Sequence, residues 1–415
     1  MKEDIKEEEK IPKTLMELND VYRELFQLDD NILIPLIATT IIGAKTKLPS
    51  VWLYLIGGAS SGKTSALSAF AKVPFLTQVS DFTPNTLLSG AQANDHETSL
   101  LKKLGDSFVI VMKDFTTILS KGEETQDALM AQLREVYDGH IVKYTGLGKE
   151  ISWGKKDDPA RSVFIMASTE AIFKIQERFS EMGSRGLNYV LEEQDRKATA
   201  KFSLRKSHGF NEKLISIQNR VRDYVLSQTA TLPKEFPELE DGFEDDIVEV
   251  ADFITRCRSI VLRDYRGLQN LTLSAEYPMR VAKAMSAVAK LMIHLNGGKM
   301  SEDIKKCVFK IGFDSIPKQT KIALKVMAEN YRVNAGGVAS LIKYPEKRAV
   351  EWLENLHMFN IVRKLKVDGR QYWEMEEEYR TVMFKYFPKL VFTNVPLVSD
   401  DIYEGRGIDS WDNQM

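Results

Sequence analysis

Residues 56–65 read IGGASSGKTS, in which Gly57 is followed by four residues and then by Gly62-Lys63-Thr64. This is the pattern G-x-x-x-x-G-K-[ST], whose glycines let successive backbone N–H groups turn inward around an anion. Lys63 is expected to reach the β- and γ-phosphates of a nucleotide, and the Thr64 hydroxyl to coordinate Mg²⁺. The residues predicted to line the loop are Gly57, Gly58, Ala59, Ser60, Ser61, Gly62, Lys63, Thr64 and Ser65.

The sequence on either side of the loop supports this interpretation over a chance match. The apolar run VWLYLI (51–56) predicts a buried strand before the loop, and TSALSAFAKV (64–73) has helical spacing after it. Strand, loop and helix in this order are what a phosphate-binding loop requires. Apolar strands and helices alternate to about residue 195, which is typical of a parallel α/β sheet. Strands are predicted at 51–56, 75–79, 107–113, 162–167 and 187–191.

The composition is that of a globular protein with little overall charge. The chain has 415 residues, 43% of them hydrophobic, and a formal net charge of −2, so a nucleic-acid-binding surface would have to be local. The distant cysteines Cys257 and Cys307 favour buried, reduced thiols in a cytoplasmic protein over a disulfide framework or a zinc site. The apolar run 32–44 contains Pro35 and is too short to span a membrane, so we expect no membrane contact and predict that it packs in the core.

A neighbouring strand is expected to carry acids, because nucleotide hydrolases with such a loop use one acid to hold Mg²⁺ and often another to orient the attacking water. The run FVIVMKDF ends in a single acid, Asp114, which follows Lys113. Asp114 is therefore either the Mg²⁺ residue, with no acid after it, or the water-orienting acid, with Lys113 in place of the Mg²⁺ residue. We call these two alternatives the first and the second register. In either of them, Glu135 or Asp138 could supply the missing carboxylate.

Several segments occur in the order in which one family has them. They resemble an Asp-Glu-Phe motif, a helix leading into a β-hairpin, a first sensor strand, an arginine-finger segment and a second sensor helix. From about 50 to 380 the chain thus resembles AAA+ ATPases, and most closely the minichromosome-maintenance-like replicative helicases of phages, plasmids and genomic islands. The segments are KDFTTI (113–118), LREVYDGHIVKYTG (133–146), RSVFIMAST (161–169), GSRGLNYVLEEQD (183–195) and EYPMRVAKAMSAVAKLM (276–292).

The resemblance implies ATP and Mg²⁺ as cofactors and a homo-oligomer, expected to be a hexameric ring. Asp114 then takes the place of the family's Glu, which favours the second register. Ser168 is implied as the sensor of the γ-phosphate or water, and Arg280 as a lid residue that contacts phosphate. Arg185 is implied as the arginine that reaches the nucleotide of a neighbouring subunit. From the residues alone, Ser168 could instead cap a helix, and both arginines could be surface residues, Arg185 in an ion pair.

The segment HIVKYTGLGKEISW (140–153) predicts a hairpin, because β-rich arms surround Gly146-Leu147-Gly148. In the family such hairpins line the pore of the ring and grip the DNA backbone, which implies Lys143 and Lys149 as phosphate contacts. An ordinary edge hairpin with solubilising lysines is the alternative.

Residues 315–376 predict a winged helix, formed by three helices and a two-stranded wing around Asp368-Gly369. Cations lie at the start of the recognition helix and on the wing, where they would meet DNA, although three glutamates of the same helix dilute this charge. A protein-binding winged helix is the alternative. The predicted DNA contacts are Lys347, Arg348, Arg363, Lys364, Lys366 and Arg370.

These features predict an α/β protein with a P-loop parallel-sheet domain, a helical lid and a C-terminal winged helix. One interpretation is an ATP-driven DNA helicase or translocase that works with other replication proteins. The other is a nucleotide switch, such as a helicase loader, replication initiator or DNA-binding regulator, which Lys113 and the absence of a counterpart to the family's N-terminal DNA-binding domain favour. The predicted regions are a charged arm and lead-in helix (1–30), the ATPase core (31–196), the lid (197–312), the winged helix (313–385) and a tail (386–415).

Overall fold

A computed structural model describes most of the chain between residues 10 and 388. The described residues fall into two compact units: the first takes those of 10–173, 185–240 and 283–311, and the second those of 241–282 and 312–388. No described helix has the length and apolar character that a membrane span requires. The described ranges are 10–27, 30–89, 99–144, 148, 150–173, 185–192, 195–205, 209–259, 261–263, 269–271 and 274–388.

A five-stranded parallel sheet forms the centre of the first unit, as the sequence predicts, and its strand order is β2-β3-β6-β1-β7. All five residues of β1 are buried, because helices cover both faces of a parallel sheet and its strands become continuous apolar runs. The strands are β1 (Trp52–Ile56), β2 (Leu76–Gln78), β3 (Ser107–Met112), β6 (Arg161–Ser168) and β7 (Gly186–Val190).

Helices and a hairpin accompany the sheet in this unit up to residue 240. The helix α2 is mostly apolar and almost wholly buried, which confirms the prediction that the run 32–44 packs in the core. Its start is held by the Asp30 carboxylate, which accepts from the N–H of Ile32 at 2.8 Å. The helices are α1 (Leu15–Arg23), α2 (Leu33–Gly43), α3 (Lys63–Ser68), α4 (Pro84–Leu87), α5 (Leu100–Leu104), α6 (Thr116–Leu119), α7 (Glu123–Tyr137), α8 (Arg196–Arg205) and α9 (Phe210–Ala230).

The predicted hairpin is present as the antiparallel strands β4 (Ile141–Tyr144) and β5 (Glu150–Trp153). Two glycines in left-handed backbone conformations form its base, Gly139 (φ +80°) and Gly154 (φ +71°). A Cβ on Gly154 would lie 1.9 Å from the Gly139 oxygen, so the two backbones approach too closely for any side chain.

Between 197 and 300 the sequence predicts helices without strands, and this is only partly right. The helices α10 (Asp241–Arg258) and α11 (Met279–Leu295) are present in addition to α8 and α9, and α12 (Glu302–Phe313) follows. Between α10 and α11 lies a short antiparallel pair, β8 (Leu262–Arg263) and β9 (Gln269–Leu271). Strands of two and three residues are too short to show an alternating pattern, so the sequence gives no signal for them.

The last part of the second unit contains the helices and strands predicted for 315–376. The Asp368-Gly369 turn has both residues in the left-handed region, at φ +49° and +79°, as a two-residue hairpin turn requires. Both cysteines of the chain are buried and free of disulfides, as predicted. The elements are α13 (Lys318–Glu329), α14 (Ala335–Ile342), α15 (Glu346–Met358), β10 (Val362–Val367), β11 (Arg370–Met375) and α16 (Glu377–Tyr386).

Candidate functional site

The glycine-rich loop lies where β1 ends and α3 begins, at the carboxyl edge of the parallel sheet. Its backbone makes two left-handed turns, at Ser60 (φ +61°) and Gly62 (φ +90°). A Cβ on Gly57 would lie 2.7 Å from the Ser61 hydroxyl and 3.4 Å from the Cβ of Leu191, so this position has little room for a side chain. These constraints explain the predicted glycine pattern, because the turns aim successive backbone N–H groups to one side.

The Lys63 ammonium lies within the loop itself. It donates to the carbonyl oxygens of Gly57 at 2.8 Å and Gly58 at 2.6 Å, and to the Ser61 hydroxyl at 3.1 Å. Burial lowers the pKa of Lys63, and the Asp114 carboxylate acts in the opposite direction. The Thr64 side chain, next in sequence, is exposed.

Asp114 follows the end of β3 at the same edge. Its carboxylate accepts from the backbone N–H of Thr116 at 2.9 Å and from the Thr116 hydroxyl, which fixes the turn into α6. Asp114 is exposed, and its charge raises the pKa of Lys63. An acid whose charge reaches Lys63 fits either predicted role.

Ser168 is the last residue of β6, the strand between β1 and β3. It pairs with Ile56, and its carbonyl accepts from the N–H of Gly57 at 3.2 Å. Ser168 is 2% exposed, and its hydroxyl has no hydrogen-bond partner among the described residues. The hydroxyl that accepts from the next turn is that of Thr169, from Ala171 N–H at 3.4 Å, so the alternative helix-cap role of Ser168 has no support.

The loop, Asp114 and Ser168 are thus brought together at the ends of three adjacent strands. In parallel sheets ligands bind outside these carboxyl ends. The buried Ser168 hydroxyl is a polar group that costs free energy unless a partner satisfies it. Backbone N–H groups, an ammonium, an exposed hydroxyl and a carboxylate fit a nucleotide phosphate with Mg²⁺.

Arg185 lies at the opposite, amino edge of the sheet. It precedes Gly186, which pairs with Trp52 at the start of β1. Its guanidinium binds the Asp138 carboxylate at 3.1 Å and lies over the Tyr137 ring, and its side chain is only 15% exposed. The intramolecular ion pair agrees with the alternative interpretation from the sequence, and Arg185 is far from the loop of its own chain.

Glu135 and Asp138 lie at the amino edge of the sheet and cannot supply the missing acid to the loop of their own chain, so in this respect the expectation is wrong. Both lie at the end of α7, whose Val136 carbonyl accepts from the hydroxyl of Ser162, near the start of β6, at 2.9 Å. A helix that links parallel strands runs back towards their amino ends, so the direction of the chain could have placed these acids at the wrong edge.

Arg280 belongs to the second unit, where it shares a carboxylate with another arginine. Its guanidinium lies 3.5 Å from Glu276. The buried Arg258 donates to both oxygens of the same carboxylate, at 2.9 and 2.8 Å. Arg280 is therefore anchored near the start of α11.

Lys143 of the hairpin is half-buried and engaged within its own chain. Its ammonium donates to the carbonyl oxygens of Pro84 at 3.3 Å and Leu88 at 3.5 Å, and burial lowers its pKa. Lys149 lies outside the described residues. Tyr144, next to Lys143, is 71% exposed on the hairpin and donates to Glu150 at 2.6 Å.

The six predicted DNA-contacting cations of the second unit fall into two groups. One group is bound to carboxylates of the same unit: Arg348 to Glu351, Arg363 to Glu374 and Lys364 to Glu354. The other group is exposed and makes no ion pair within the described chain: Lys347, Lys366 and Arg370. The second group can meet phosphates without exchanging an existing partner.

Comparisons with known proteins give no family. The sequence matches no protein-family model and no curated protein. Among solved structures, a similar chain is the active helicase Cch of a type IV SCCmec element, with 9% sequence identity and a TM-score of 0.36. The match covers 88% of this chain and 70% of that one. A likeness this low carries nothing over to this chain.

Proposed function

We propose that the chain is an AAA+-type ATPase that binds ATP with Mg²⁺ at the carboxyl edge of its sheet, hydrolyses it and acts on DNA. The observation that supports this most is the meeting of three groups at one edge: the glycine-rich loop with Lys63, the Asp114 carboxylate and the buried Ser168 hydroxyl without a partner.

Each group has a role in this proposal. Backbone N–H groups of residues 57–65 hold the β- and γ-phosphates, and Lys63 exchanges its carbonyl partners for phosphate oxygens. The Thr64 hydroxyl and Asp114 hold Mg²⁺, which neutralises charge that develops on the phosphates. Ser168 donates to the γ-phosphate or to the attacking water, which satisfies its hydroxyl.

A ring of copies, expected to be a hexamer, is part of the proposal because Arg185 cannot serve the loop of its own chain. At about 3.3 Å per residue along β1, roughly 20 Å separate the level of Arg185 from that of Gly57. A guanidinium at one edge and a phosphate loop at the other suit a head-to-tail interface, in which each copy completes its neighbour's site.

Action on DNA is supported by the second unit, whose last elements follow the order of a winged helix. We propose that Lys347 at the start of α15, and Lys366 and Arg370 on the β10–β11 ribbon, bind DNA phosphates.

The predicted lid and domain boundaries belong to the same proposal, with Arg280 as the lid residue that contacts phosphate. The hairpin β4–β5 is proposed to face DNA in the ring. A helicase or translocase of a mobile element is the activity that joins these parts.

A nucleotide switch without hydrolysis is the second candidate, and one observation favours it. Lys113 stands beside Asp114, and the Asp114 carboxylate is already bound by Thr116. If no other acid acts, ATP would drive assembly on DNA without turnover, as in a helicase loader, initiator or regulator.

Equilibrium binding tests the core of the proposal. Fluorescent ATP analogues should bind in the presence of Mg²⁺, and ATP should increase the mass of the protein in light scattering. Lys63→Ala should weaken binding about 10- to 100-fold, because charge-assisted hydrogen bonds to phosphate contribute about 1.5–3 kcal/mol. Lys47→Ala, on an exposed lysine outside the loop, is the matched control. Equal binding by wild type and Lys63→Ala would exclude a nucleotide at this loop.

A further inference from the structure

The segment between α13 and α14 carries an exposed aromatic ring that the proposed function does not use. This residue, Tyr331, is 54% exposed. The guanidinium of Arg380 lies over the ring, 5.7 Å from its centroid, and donates to the carbonyl oxygens of Ala328 at 2.7 Å and Tyr331 at 3.4 Å. The ring and the backbone of Tyr331 are thus held before any partner arrives, which reduces the entropy cost of binding.

The next residue, Arg332, is fixed by a buried carboxylate that also binds Arg363. Glu374 is 2% exposed, and one of its oxygens accepts from Arg332 Nε at 2.9 Å. Its other oxygen accepts from Nε of Arg363 at 2.9 Å and from Nη2 at 2.7 Å. The Nη1 groups of both arginines make no hydrogen bond within the described chain, so each arginine has donors for an anion while Glu374 holds it.

Tyr331 lies near both of these guanidiniums. It precedes Arg332 in the sequence, and the side chain of Arg363 is 51% exposed. The hydrogen bond to Glu374 raises the pKa of Arg363 most, and the charges of Glu376 and Tyr331 act in the same direction. An exposed ring is therefore flanked by two arginines that a single buried carboxylate keeps in place.

The register of β10 and β11 divides the cations of the wing between two faces. Residues opposite each other share a face, and successive residues along a strand alternate between faces. Arg363 and Arg370 lie on one face, and Lys364 and Lys366 lie on the other. Lys364 binds Glu354 of α15, so the second face is the one beside that helix. The arginines near Tyr331 therefore belong to a different surface from Lys366.

A fixed ring among guanidiniums suits the unpaired bases of a single strand. In a duplex the faces of the bases are buried in the stack, whereas every unpaired base has a π-face that can stack on an aromatic side chain. Guanidiniums beside the ring bind the neighbouring phosphates. Three guanidiniums stand against two carboxylates, so the charge favours an anion: Arg332, Arg363 and Arg380 against Glu374 and Glu376.

We propose that a surface formed by Tyr331, Arg332, Arg363 and Arg370, the Tyr331 face, binds single-stranded DNA, with a base stacked on the ring and phosphates on the arginines. The inference rests on the proposed action on DNA. It gives the last part of the second unit two DNA-binding surfaces, one beside α15 and one for a single strand on the opposite face of the wing.

Fluorescence anisotropy of the full chain with a labelled oligothymidine and with a labelled duplex tests the inference. Tyr331→Ala should weaken oligothymidine binding about 5- to 150-fold, the range for loss of one stacked base, and leave duplex binding within about threefold. Tyr331→Phe keeps the ring and should bind oligothymidine like wild type. Tyr344→Ala is the matched control, because Tyr344 is 45% exposed in the same unit but lies outside the Tyr331 face. It should leave oligothymidine binding unchanged.

The salt dependence of binding tests the arginines. Arg363→Gln should weaken oligothymidine binding and reduce the slope of log K against log salt by about 0.7, the value for one phosphate of a single strand. Lys364→Gln changes the next residue of the same strand, on the opposite face, and should leave this slope unchanged. An unchanged slope in Arg363→Gln would overturn the phosphate contact.

The outcomes separate this inference from the proposed function. Equal oligothymidine binding by wild type and Tyr331→Ala would overturn the stacking site and leave the action on DNA intact. Equal losses for oligothymidine and duplex in Tyr331→Ala would overturn it as well, because a duplex offers no free base face. A wild-type protein that binds duplex but not oligothymidine would overturn the inference alone. A wild-type protein that binds neither would overturn the proposed action on DNA and the inference with it.

Discussion

Arg185 and Lys63 lie at opposite edges of the sheet, so their loss should damage different catalytic sites of a ring. Arg185→Ala alone should abolish most turnover, because a transition-state arginine contributes about 10³-fold or more. Lys63→Ala alone should fail because its own loop no longer holds phosphate. The two inactive proteins, when mixed, should regain activity.

The size of the recovery follows from the geometry. A productive interface needs an intact loop from one copy and an intact arginine from its neighbour. An Arg185→Ala copy supplies the loop and a Lys63→Ala copy supplies the arginine, so a mixed pair is productive in one of its two orders. In an equimolar mixture that exchanges subunits freely, about a quarter of head-to-tail interfaces have this arrangement. Turnover should therefore rise from near zero to about a quarter of the wild-type rate if sites act independently.

The assay is steady-state phosphate release from each variant, from the mixture and from wild type, at equal total concentration. Asp138→Ala is the control for a merely structural role of Arg185. The Asp138 side chain is 55% exposed, and an ion pair of this kind contributes at most about 1 kcal/mol, so this variant should stay active. A mixture no more active than the average of its two components, or an inactive Asp138→Ala, would refute action across the interface.

Three further changes test other parts of the account. Gly154→Ala places a Cβ 1.9 Å from a backbone oxygen at φ +71°, so the free energy of unfolding, measured in urea, should fall by more than about 4 kcal/mol. The control Gly148→Ala has a similar φ of +76° but open space around the Cβ, and should lower the same free energy by only about 1–2 kcal/mol. Burial lowers the pKa of Lys63, and the Asp114 carboxylate opposes this. Lys63 should therefore lose its proton as the pH rises, so ADP affinity measured without Mg²⁺ should fall. Asp114→Asn removes the opposing charge and should move that fall to lower pH. Unchanged pH profiles would contradict this charge coupling. Lys366→Ala should weaken DNA binding equally for all sequences and reduce the slope of log K against log salt by about one, measured by fluorescence anisotropy, and an unchanged slope would show that Lys366 meets no phosphate.

The strands of the central sheet were predictable because each is a short, continuous apolar run. Burial on both faces of a parallel sheet removes the alternation that marks a half-exposed strand, and β1 shows this most clearly. The strand order was not predicted, since apolar runs do not specify which neighbour a strand pairs with. The placement of β6 between β1 and β3 is what brings Ser168 beside the loop and Asp114.

The candidate site was predictable where local backbone chemistry decides it. The loop at 57–65 needs glycine at fixed positions, and Asp368-Gly369 needs two left-handed residues, so both patterns carry their geometry in the sequence. Long-range contacts carry no such signal. The ammonium of Lys143 lies on carbonyls of Pro84 and Leu88, more than fifty residues away, and sequence reasoning expected it to contact DNA.

ATP turnover by the purified protein, with and without single- and double-stranded DNA, tests the central claim most directly. The account predicts turnover that DNA stimulates and that Lys63→Ala abolishes. Mg²⁺-dependent ATP binding without turnover, whatever DNA is added, would contradict it and leave a nucleotide switch as the function of this edge of the sheet.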